Sequence, residues 1–307
     1  MIIPRFPDIK ILFYNPYAIQ YNRFRKNFAA LLKEVIMQYK IGDVSRILGI
    51  STDLLRYYEK KGVVTPTKDK QNDYRYYDAW DINFLIDCLW FKGFGFGIPQ
   101  IAYMVSDCCY MDLVPILEEK RDEIMESIHQ QELILHRLSQ HCEQVMRVRN
   151  MLGKCEIMPC PEVVCYLNRY DTAYDNSPQM QKLSKQWLQY MPFLSRYFEM
   201  PSEAGGGYAH RYAWGFSLGM EYVSELSVPV IPPVKHQPSV ECIHSTFKSS
   251  GKNAFSHEHI KYLFDYASDN GYTVAGDARG NLVCSILENG TNTGYFEVWL
   301  PVSKDAG

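Results

Sequence analysis

The sequence has no apolar stretch long enough to span a membrane, because a spanning helix needs about 20 mostly apolar residues. It also has no excess of positive charge, since 32 Lys and Arg are outnumbered by 35 Asp and Glu. That balance excludes a uniformly basic coat protein for nucleic acid but permits a local basic surface. The nine cysteines are unevenly spaced and include no Cys-x-x-Cys pair, which favours reduced cytoplasmic thiols over a disulfide framework.

Motifs for catalysis are missing as well. No nucleophile elbow, phosphate-binding loop or metal-ligand helix motif occurs, so we expect neither an enzyme nor a bound cofactor or metal. The chain does have 307 residues, 47% of them apolar, which is enough for two domains with ordinary cores. Its 23 tyrosines suit either a rich core or a pocket that stacks flat ligands.

Residues 1–36 mix aromatic and basic side chains without periodicity and lack the long apolar region of a secretion signal. Lys33, Glu34 and Val35 can be encoded by a strong bacterial ribosome-binding sequence, and Met37 follows at a suitable distance. We therefore expect translation to begin at Met37, with residues 1–36 outside the native protein. A genuine, partly helical extension is the alternative.

Two short helices are predicted from residue 41 to 48 and from residue 52 to 61. Apolar residues recur at helical spacing in the first, Gly49 interrupts it, and Ser51 is a favourable N-cap for the second. Two helices joined by so tight a turn form a helix-turn-helix, whose second helix normally enters the major groove of DNA. The candidate DNA contacts here are Ser51, Thr52, Arg56, Tyr57 and Lys60.

A small hairpin, or wing, is predicted over residues 62–77. It consists of an apolar strand at 62–64, an Asn-Asp turn at 72–73 and an aromatic-basic strand at 74–77. Lys68, Lys70 and Arg75 would face phosphates rather than base edges. Lys68, Arg75 and Tyr76 complete the candidate DNA-binding set.

Several blocks of this region together resemble the MerR family of transcription regulators. They are Ile41-Gly42-Asp43-Val44, Leu55-Arg56-Tyr57-Tyr58-Glu59-Lys60-Lys61-Gly62 and Tyr74-Arg75-Tyr76-Tyr77, followed by a helix at 79–92 and another opening at 98–101. The family's usual glycine before Tyr74 is Asp73 here, which the neighbouring Asn-Asp turn can tolerate.

The resemblance implies that Arg56, Tyr57, Arg75 and Tyr76 contact DNA. It also implies that the protein bends and untwists promoter DNA when an effector binds, so that RNA polymerase responds through the DNA. Simple packing under the wing is the alternative for Tyr57, Tyr58, Tyr76 and Tyr77, and we expect about half of these four rings to be buried.

Residues 111–152 predict one long helix without glycine. Its apolar heptad seam comprises Leu117, Ile124, Ile128, Leu135, Leu138, Cys142, Val145 and Leu152. Such a seam is typical of a two-stranded coiled coil, and the family resemblance implies an antiparallel pair in a homodimer. His129 and His136 lie seven residues apart on this helix, and we interpret both as surface residues.

The remaining residues, 153–307, have a different sequence pattern, which predicts alternating strands and helices. Strands are predicted at 163–167, 212–218, 240–247, 272–276, 282–287 and 295–302, with helices at 179–198 and from Ser256 to 270. Strand, helix and strands thus occur twice, which indicates a duplicated unit. The predicted fold class is multidomain α+β: a winged helix-turn-helix at 37–110, a coiled-coil helix at 111–152 and a duplicated domain at 153–307.

The segments 266–276 and 295–302 resemble the GyrI-like effector-binding domain of BmrR-type regulators. The resemblance places an acidic residue, here Glu297, at the floor of a pocket that senses multiple drugs. A carboxylate among aromatic rings would attract an organic cation. Strand alternation puts Tyr295 and Trp299 on the face of Glu297. Further candidate walls are Tyr166, Trp214 and Tyr272.

Three alternatives remain open at this stage. Glu297 can instead be a sheet-edge residue paired with Lys or Arg. Cys155, Cys160 and Cys165 recur every five residues, as a metal or redox sensor could require, although that spacing alternates faces on a strand. Some GyrI-like domains are hydrolases that use a pocket glutamate. We predict a cytoplasmic bacterial regulator, associated with the nucleoid, that binds promoter DNA and a small aromatic or cationic effector.

Overall fold

A computed structural model describes the chain in four stretches, residues 37–69, 74–202, 211–251 and 255–304. The chain divides into two compact units, Met1–Ile128 and His129–Gly307. The 36 residues before Met37 lie outside the described ranges, as do Lys70 and the Asn72-Asp73 turn expected at the tip of the wing.

The first unit combines short helices with a three-stranded antiparallel sheet of order β1-β3-β2. Its elements are β1 (Tyr39–Lys40), α1 (Ile41–Leu48), α2 (Thr52–Lys60), β2 (Thr67–Lys68), β3 (Arg75–Tyr77), α3 (Ala79–Gly93) and α4 (Ile98–Ser106). The first wing strand lies at residues 67–68 and not at the predicted 62–64. Val63 and Val64 are buried instead, because the backbone N–H of Val63 bonds the carbonyl of Tyr58 and continues the end of α2.

Local chemistry explains why the two helices of the turn begin and end where they do. Gly49 ends α1 with a left-handed φ of 65°, a conformation that glycine adopts without steric cost. The Ser51 hydroxyl accepts a hydrogen bond from the Leu54 backbone N–H at 3.2 Å and caps α2. Leu55 is fully buried and packs with Val44 of α1, so the two helices are held by one small core.

A single helix, α5 (Tyr110–Met151), follows and includes the range predicted for the coiled coil up to residue 151. Pro115 lies inside this helix, beyond its first turn, so the helix lacks one backbone hydrogen bond there. Several apolar positions of the predicted seam are exposed in the single chain: Ile124, Ile128, Leu135, Leu138, Val145 and Leu152.

The second unit is built on a ten-stranded sheet. Its strands are β4 (Cys155–Pro159), β5 (Val163–Tyr170), β6 (Ala173–Tyr174), β7 (Ser195–Met200), β8 (Ala213–Gly219), β9 (Lys235–Gln237), β10 (Glu241–Ser250), β11 (Tyr272–Val274), β12 (Ala278–Glu288) and β13 (Thr291–Lys304). The main order is β4-β10-β13-β12-β7-β8-β5-β6, with β11 on β13 and β9 on β5. Three further helices are α6 (Pro178–Trp187), α7 (Met220–Glu225) and α8 (Lys261–Asp269).

The strand order confirms the duplicated unit. The first copy runs β5, α6, β7, β8 and has spatial order β5-β8-β7; the second runs β10, α8, β12, β13 and has spatial order β10-β13-β12. The two copies join where β7 pairs with β12 in antiparallel register. The fold class is therefore mixed α+β with a repeated strand-helix-strand-strand motif.

Two predicted helix boundaries are wrong. The helix predicted for 179–198 ends at Trp187, passes into a 3-10 turn at Leu188–Tyr190 and is followed by strand β7. Pro192 explains the early end, because proline lacks a backbone donor and disfavours helix in the residue before it. The second helix begins with a 3-10 turn at His257–Ile260, and the Ser256 side chain makes no capping bond.

Candidate functional site

The large sheet has one apolar face and one polar face. On the apolar face, Phe198, Phe296 and Val298 pack against Ile260 and Leu263 from the region of α8. On the opposite face, cross-strand registers align Thr246, Glu297, Asn281 and Tyr197 in one row from β10 to β7. Polar side chains inside a folded domain need partners, and Thr246, Asn281 and Tyr197 find them within the unit, so Glu297 is the member of the row that can accept a ligand.

The carboxylate of Glu297 is completely buried in that row. Its Oε1 atom accepts a hydrogen bond from Arg147 Nη1 at 3.2 Å and lies 3.6 Å from Nε2 of His244. Its Oε2 atom has no hydrogen-bond partner within the described part of the chain. A buried carboxylate with one oxygen unsatisfied costs free energy, which makes it a candidate ligand acceptor.

Arg147 reaches Glu297 because the last part of α5 crosses the polar face. Thr246 Oγ1 donates to the carbonyl of Val148 at 3.2 Å, and Arg137 Nη2 donates to Ser195 Oγ at 3.2 Å. The eleven residues between these two contacts rise about 16 Å along a helix, while three strand intervals from β10 to β7 span about 14 Å. The helix therefore runs across the strands and covers the row that contains Glu297.

His244 and Trp299 complete the immediate surroundings. His244 is fully buried, its Nδ1 atom bonds Glu156 Oε1 at 2.9 Å, and its Nε2 atom is without a hydrogen-bond partner among the described residues. The rings of His244 and Trp299 lie 5.4 Å apart at an interplanar angle of 32°. The indole Nε1 atom of Trp299 likewise has no hydrogen-bond acceptor in the described stretches. Carboxylate, imidazole and indole thus form one buried polar cluster.

The predicted effector residues are only partly brought together. Trp299 lies in this cluster with Glu297, whereas the Tyr295 hydroxyl donates to Glu288 Oε1 at 2.5 Å, near the end of the β12–β13 hairpin. Tyr166, Trp214 and Tyr272 belong to the apolar clusters on the helix side of the sheet. Tyr166 packs on Trp187 of α6, and Trp214 on Phe198. These three rings therefore do not surround Glu297.

Sequence reasoning did not find Arg147 or His244. Arg147 is one of many charged residues on α5, and no local pattern separates it from its neighbours. His244 had one available signal, because it lies in a strand whose alternate residues Cys242, His244 and Thr246 share a face. Pairing with Glu297 becomes visible only when β10 and β13 are in register.

In the first unit, the outer side of α2 presents Arg56, Tyr57 and Lys60 to solvent. Arg56 makes an exposed ion pair with Asp53 at 3.1 Å, which is weak enough to be exchanged for a phosphate. Tyr57 keeps 42% of its surface exposed. Ser51 and Thr52 lie at the N-terminus of this helix, where backbone N–H groups favour anions.

The wing is held to the helix by Glu59. Arg75 Nε donates to Glu59 Oε2 at 2.5 Å, and Lys68 Nζ lies 3.6 Å from the other carboxylate oxygen. Lys68 is half exposed and Tyr76 half buried. Tyr58 and Tyr77 are fully buried, so two of the four tyrosines are core residues, in the proportion expected.

Neither a metal site nor a membrane span is visible in the described ranges. Within residues 37–69, 74–202, 211–251 and 255–304, no three His, Cys, Asp or Glu side chains are grouped as metal ligands would be. No helix of these ranges is both long and apolar enough to cross a bilayer. The nine cysteines are unpaired.

Comparison with known proteins identifies the first unit. Residues 39–107 match the family model described as MerR HTH family regulatory protein. The HTH-type transcriptional regulator CueR of Escherichia coli is 28% identical over 112 residues, which cover 36% of this chain and 76% of CueR. The regulator YyaN of Bacillus subtilis is 32% identical over 79 residues, covering 26% of this chain and 57% of YyaN.

Among solved structures, a cryo-EM structure of an EcmrR–DNA complex is 18% identical with a TM-score of 0.34, covering 87% of this chain and 100% of that chain. The blocks of sequence, the helix-turn-helix with its wing and the family match all concern the same segment. Residues 39–107 are a helix-turn-helix domain of the MerR family of regulatory proteins.

Proposed function

We propose that this protein is a DNA-binding transcription regulator whose C-terminal unit senses a small organic cation. The observation that carries the sensing part is the fully buried Glu297 carboxylate, whose only ion-pair partners within the described ranges are the guanidinium of Arg147 and the imidazole of His244. The protein acts as a homodimer on promoter DNA and influences RNA polymerase through the shape of that DNA. It is a sensor and not an enzyme.

The proposed DNA-binding surface consists of Ser51, Thr52, Arg56, Tyr57 and Lys60 on α2, with Lys68, Arg75 and Tyr76 on the wing. Exposed cations on one helix and an adjacent hairpin match the way a winged helix-turn-helix contacts the major groove and its phosphates. The Glu59 contacts support this surface, because they fix the wing strands relative to α2.

Salt dependence of binding to a duplex of arbitrary sequence tests this surface without knowledge of the operator. We expect Arg56→Ala to weaken binding and to lower the slope of log affinity against log salt by about one unit. Lys182→Ala is the matched control, since Lys182 is an exposed cation on α6 of the other unit. An unchanged slope in Arg56→Ala, or an equal change in Lys182→Ala, would remove α2 from the DNA contacts.

For the effector site, the geometry favours a flat organic monocation. Glu297 supplies a negative charge in a buried position, and the Trp299 ring supplies an aromatic surface in the same cluster. A cation that binds there competes with Arg147 for the same carboxylate. Because Arg147 belongs to α5, that competition would change the contacts of this helix, whose sequence continues from the DNA-binding unit into the sensing unit.

A thermal-shift comparison tests the effector class. N-methylquinolinium should stabilise the protein more than quinoline, which has nearly the same shape and is neutral at pH 7.5. Glu297→Gln should abolish the difference, whereas Glu288→Gln, a control on the adjacent strand, should retain it. Equal stabilisation by both compounds would show that charge is not recognised. Mass spectrometry of the protein mixed with an aromatic cation that carries an ester bond separates sensing from hydrolysis, because a sensor returns such a ligand unchanged.

The homodimer is proposed from the exposed apolar row on α5. Residues Ile124, Ile128, Leu135 and Leu138 are each more than 40% exposed in the single chain, at the spacing of a coiled-coil seam. Light scattering should give twice the chain mass for the native protein and a monomer for Leu135→Glu. A native monomer at micromolar concentration would contradict the dimer.

A further inference from the structure

Three side chains outside the Glu297 site form a buried cluster with unusual chemistry. Cys160 follows strand β4, Cys242 lies on β10, and both pack against Trp299. Arg279, on β12, points its Nη2 atom at the sulfur of Cys160 from 2.8 Å. The backbone N–H of Val240 donates to the same sulfur at 3.4 Å.

Arg279 needs a negative partner, because only 9% of it is exposed and a guanidinium does not lose its proton. Its guanidinium bonds the side-chain oxygen of Gln237 at 2.7 Å, the carbonyl of Pro238 at 2.9 Å and the Cys160 sulfur. The carboxylate opposite it on β7, that of Glu199, is linked to it through Gln237, which bonds both side chains. Among the atoms that bond Arg279 directly, the Cys160 sulfur is the one that can carry a balancing charge, as a thiolate.

The surroundings of the two sulfurs shift the pKa values of the two thiols in opposite directions. The bond from the Cys242 thiol, the N–H of Val240 and the Arg279 guanidinium together hold the pKa of the Cys160 thiol well below its usual range. The pKa of Cys242 is raised, by its bond to Cys160 and by burial. Cys165 provides the contrast, since burial raises the pKa of that thiol to about 12.

We propose that Cys160 and Cys242 are a redox-active thiol pair that hydrogen peroxide converts reversibly to a disulfide. The Cys160 thiolate attacks one peroxide oxygen, the O–O bond breaks, and hydroxide leaves and takes up a proton as water. The sulfur is thereby oxidised to a sulfenic acid. The Cys242 thiol then attacks that sulfur, an S–S bond forms, the S–O bond breaks and a second water leaves.

The pair adjoins the proposed effector site without sharing its carboxylate. Trp299 packs with both cysteines and lies 5.4 Å from the His244 ring, and Arg279 is the cross-strand neighbour of Trp299. Glu199 and Tyr197 face Arg279 across β7, with Glu199 bonded to Gln237 and to the Tyr197 hydroxyl. Oxidation removes the negative charge of the Cys160 sulfur beside Arg279. The guanidinium then has Glu199 and Tyr197 as its remaining acidic neighbours.

Peptide mapping of the native, full-length protein tests the proposal. The reduced protein is exposed to a few equivalents of hydrogen peroxide, quenched with an alkylating agent under denaturing conditions and cleaved after glutamate. Cleavage at Glu156 and Glu162 places Cys160 alone in peptide 157–162, and cleavage at Glu241 and Glu258 gives peptide 242–258 for Cys242. We expect a crosslink between these two peptides that dithiothreitol removes.

Two variants identify the roles of the sulfurs. In Cys242→Ser the sulfenic acid on Cys160 has no resolving thiol, so dimedone should label peptide 157–162. In Cys165→Ser, a control for a buried thiol whose pKa is raised, the crosslink should form as in the native protein. Free thiols at both Cys160 and Cys242 after treatment, or a crosslink that joins either of them to a different cysteine, would overturn the proposal. The mapping of the native protein decides this even if a variant does not fold.

Discussion

The pair formed by Glu297 and Arg147 offers the sharpest test of the second unit, because the two side chains differ in exposure. Glu297 is completely buried, whereas the Arg147 side chain keeps 34% of its surface in contact with solvent. Arg147→Met removes the cation but retains most of the apolar stem. The carboxylate then keeps the imidazole of His244, with Nε2 at 3.6 Å from Oε1, as its neighbour.

The expected loss follows from these exposures. Breaking a fully buried ion pair costs about 3–5 kcal/mol, and losing an exposed pair costs about 0–1 kcal/mol. An arginine that is one-third exposed, paired with a buried carboxylate, lies between them, so Arg147→Met should lower the free energy of unfolding by about 2 kcal/mol. Glu297→Gln should cost about 1 kcal/mol, because its arginine can turn to water.

A double-mutant cycle separates the interaction from the cost of each change. The combined variant Arg147→Met and Glu297→Gln should lose about 1.5 kcal/mol less than the sum of the single losses. Urea unfolding followed by tryptophan fluorescence suits the measurement, since Trp187, Trp214 and Trp299 all lie in the second unit. Arg149→Met is the control, because Arg149 is an exposed arginine on the same helix.

Additive losses would refute the reasoning, since they would mean that the two side chains do not interact in solution. A loss in Arg149→Met as large as that in Arg147→Met would point to helix stability and not to the ion pair.

Four further predictions concern other parts of the chain. Arg75→Ala should lower the salt slope of DNA binding by about one unit, measured by fluorescence anisotropy; an unchanged slope would show that Arg75 serves only Glu59. Leu55→Ala, at a fully buried position, should cost about 2–5 kcal/mol in thermal unfolding of the first unit. Gly280→Ala should prevent folding, visible as loss of near-ultraviolet circular dichroism, because the new Cβ would lie 2.1 Å from the Glu297 carbonyl oxygen. Alkylation of Cys160 by a small thiol reagent should persist as the pH falls from 8 to about 6, because the lowered pKa keeps its thiolate, and Cys165, with its raised pKa, should stay unreacted throughout.

Local sequence signals predicted the first unit well. Gly49 and Ser51 determine where two short helices stop and start, and both act within a few residues of their position. Repetition of strand and helix patterns was enough to predict the duplicated fold, because each copy carries its own pattern. The early end of α6 was missed although Pro192 was visible, because the apolar residues beyond it continue the helical spacing into what is a strand.

The surroundings of Glu297 could not be predicted in the same way. Strand alternation indicates that Trp299 shares a face with Glu297, but it does not indicate which face receives the helices. Trp214 and Tyr166 were therefore predicted to line the pocket, although they pack on α8 and α6 respectively. An irregularity in the pairing of β5 also shifts the phase between Leu167 and Arg169, which no sequence pattern marks. The partner of Glu297 is 150 residues away in the sequence.

Calorimetric titration of N-methylquinolinium into the native protein, Arg147→Met and Glu297→Gln tests the central proposal most directly. If Arg147 occupies the place of a cationic effector, removing it should strengthen binding of the cation, because the ligand no longer competes with an internal partner. Glu297→Gln should weaken binding of the cation at least tenfold, which corresponds to about 1.4 kcal/mol, and should leave binding of neutral quinoline unchanged. Weaker binding in both variants, or binding that ignores Glu297, would contradict a cation sensor built on this carboxylate.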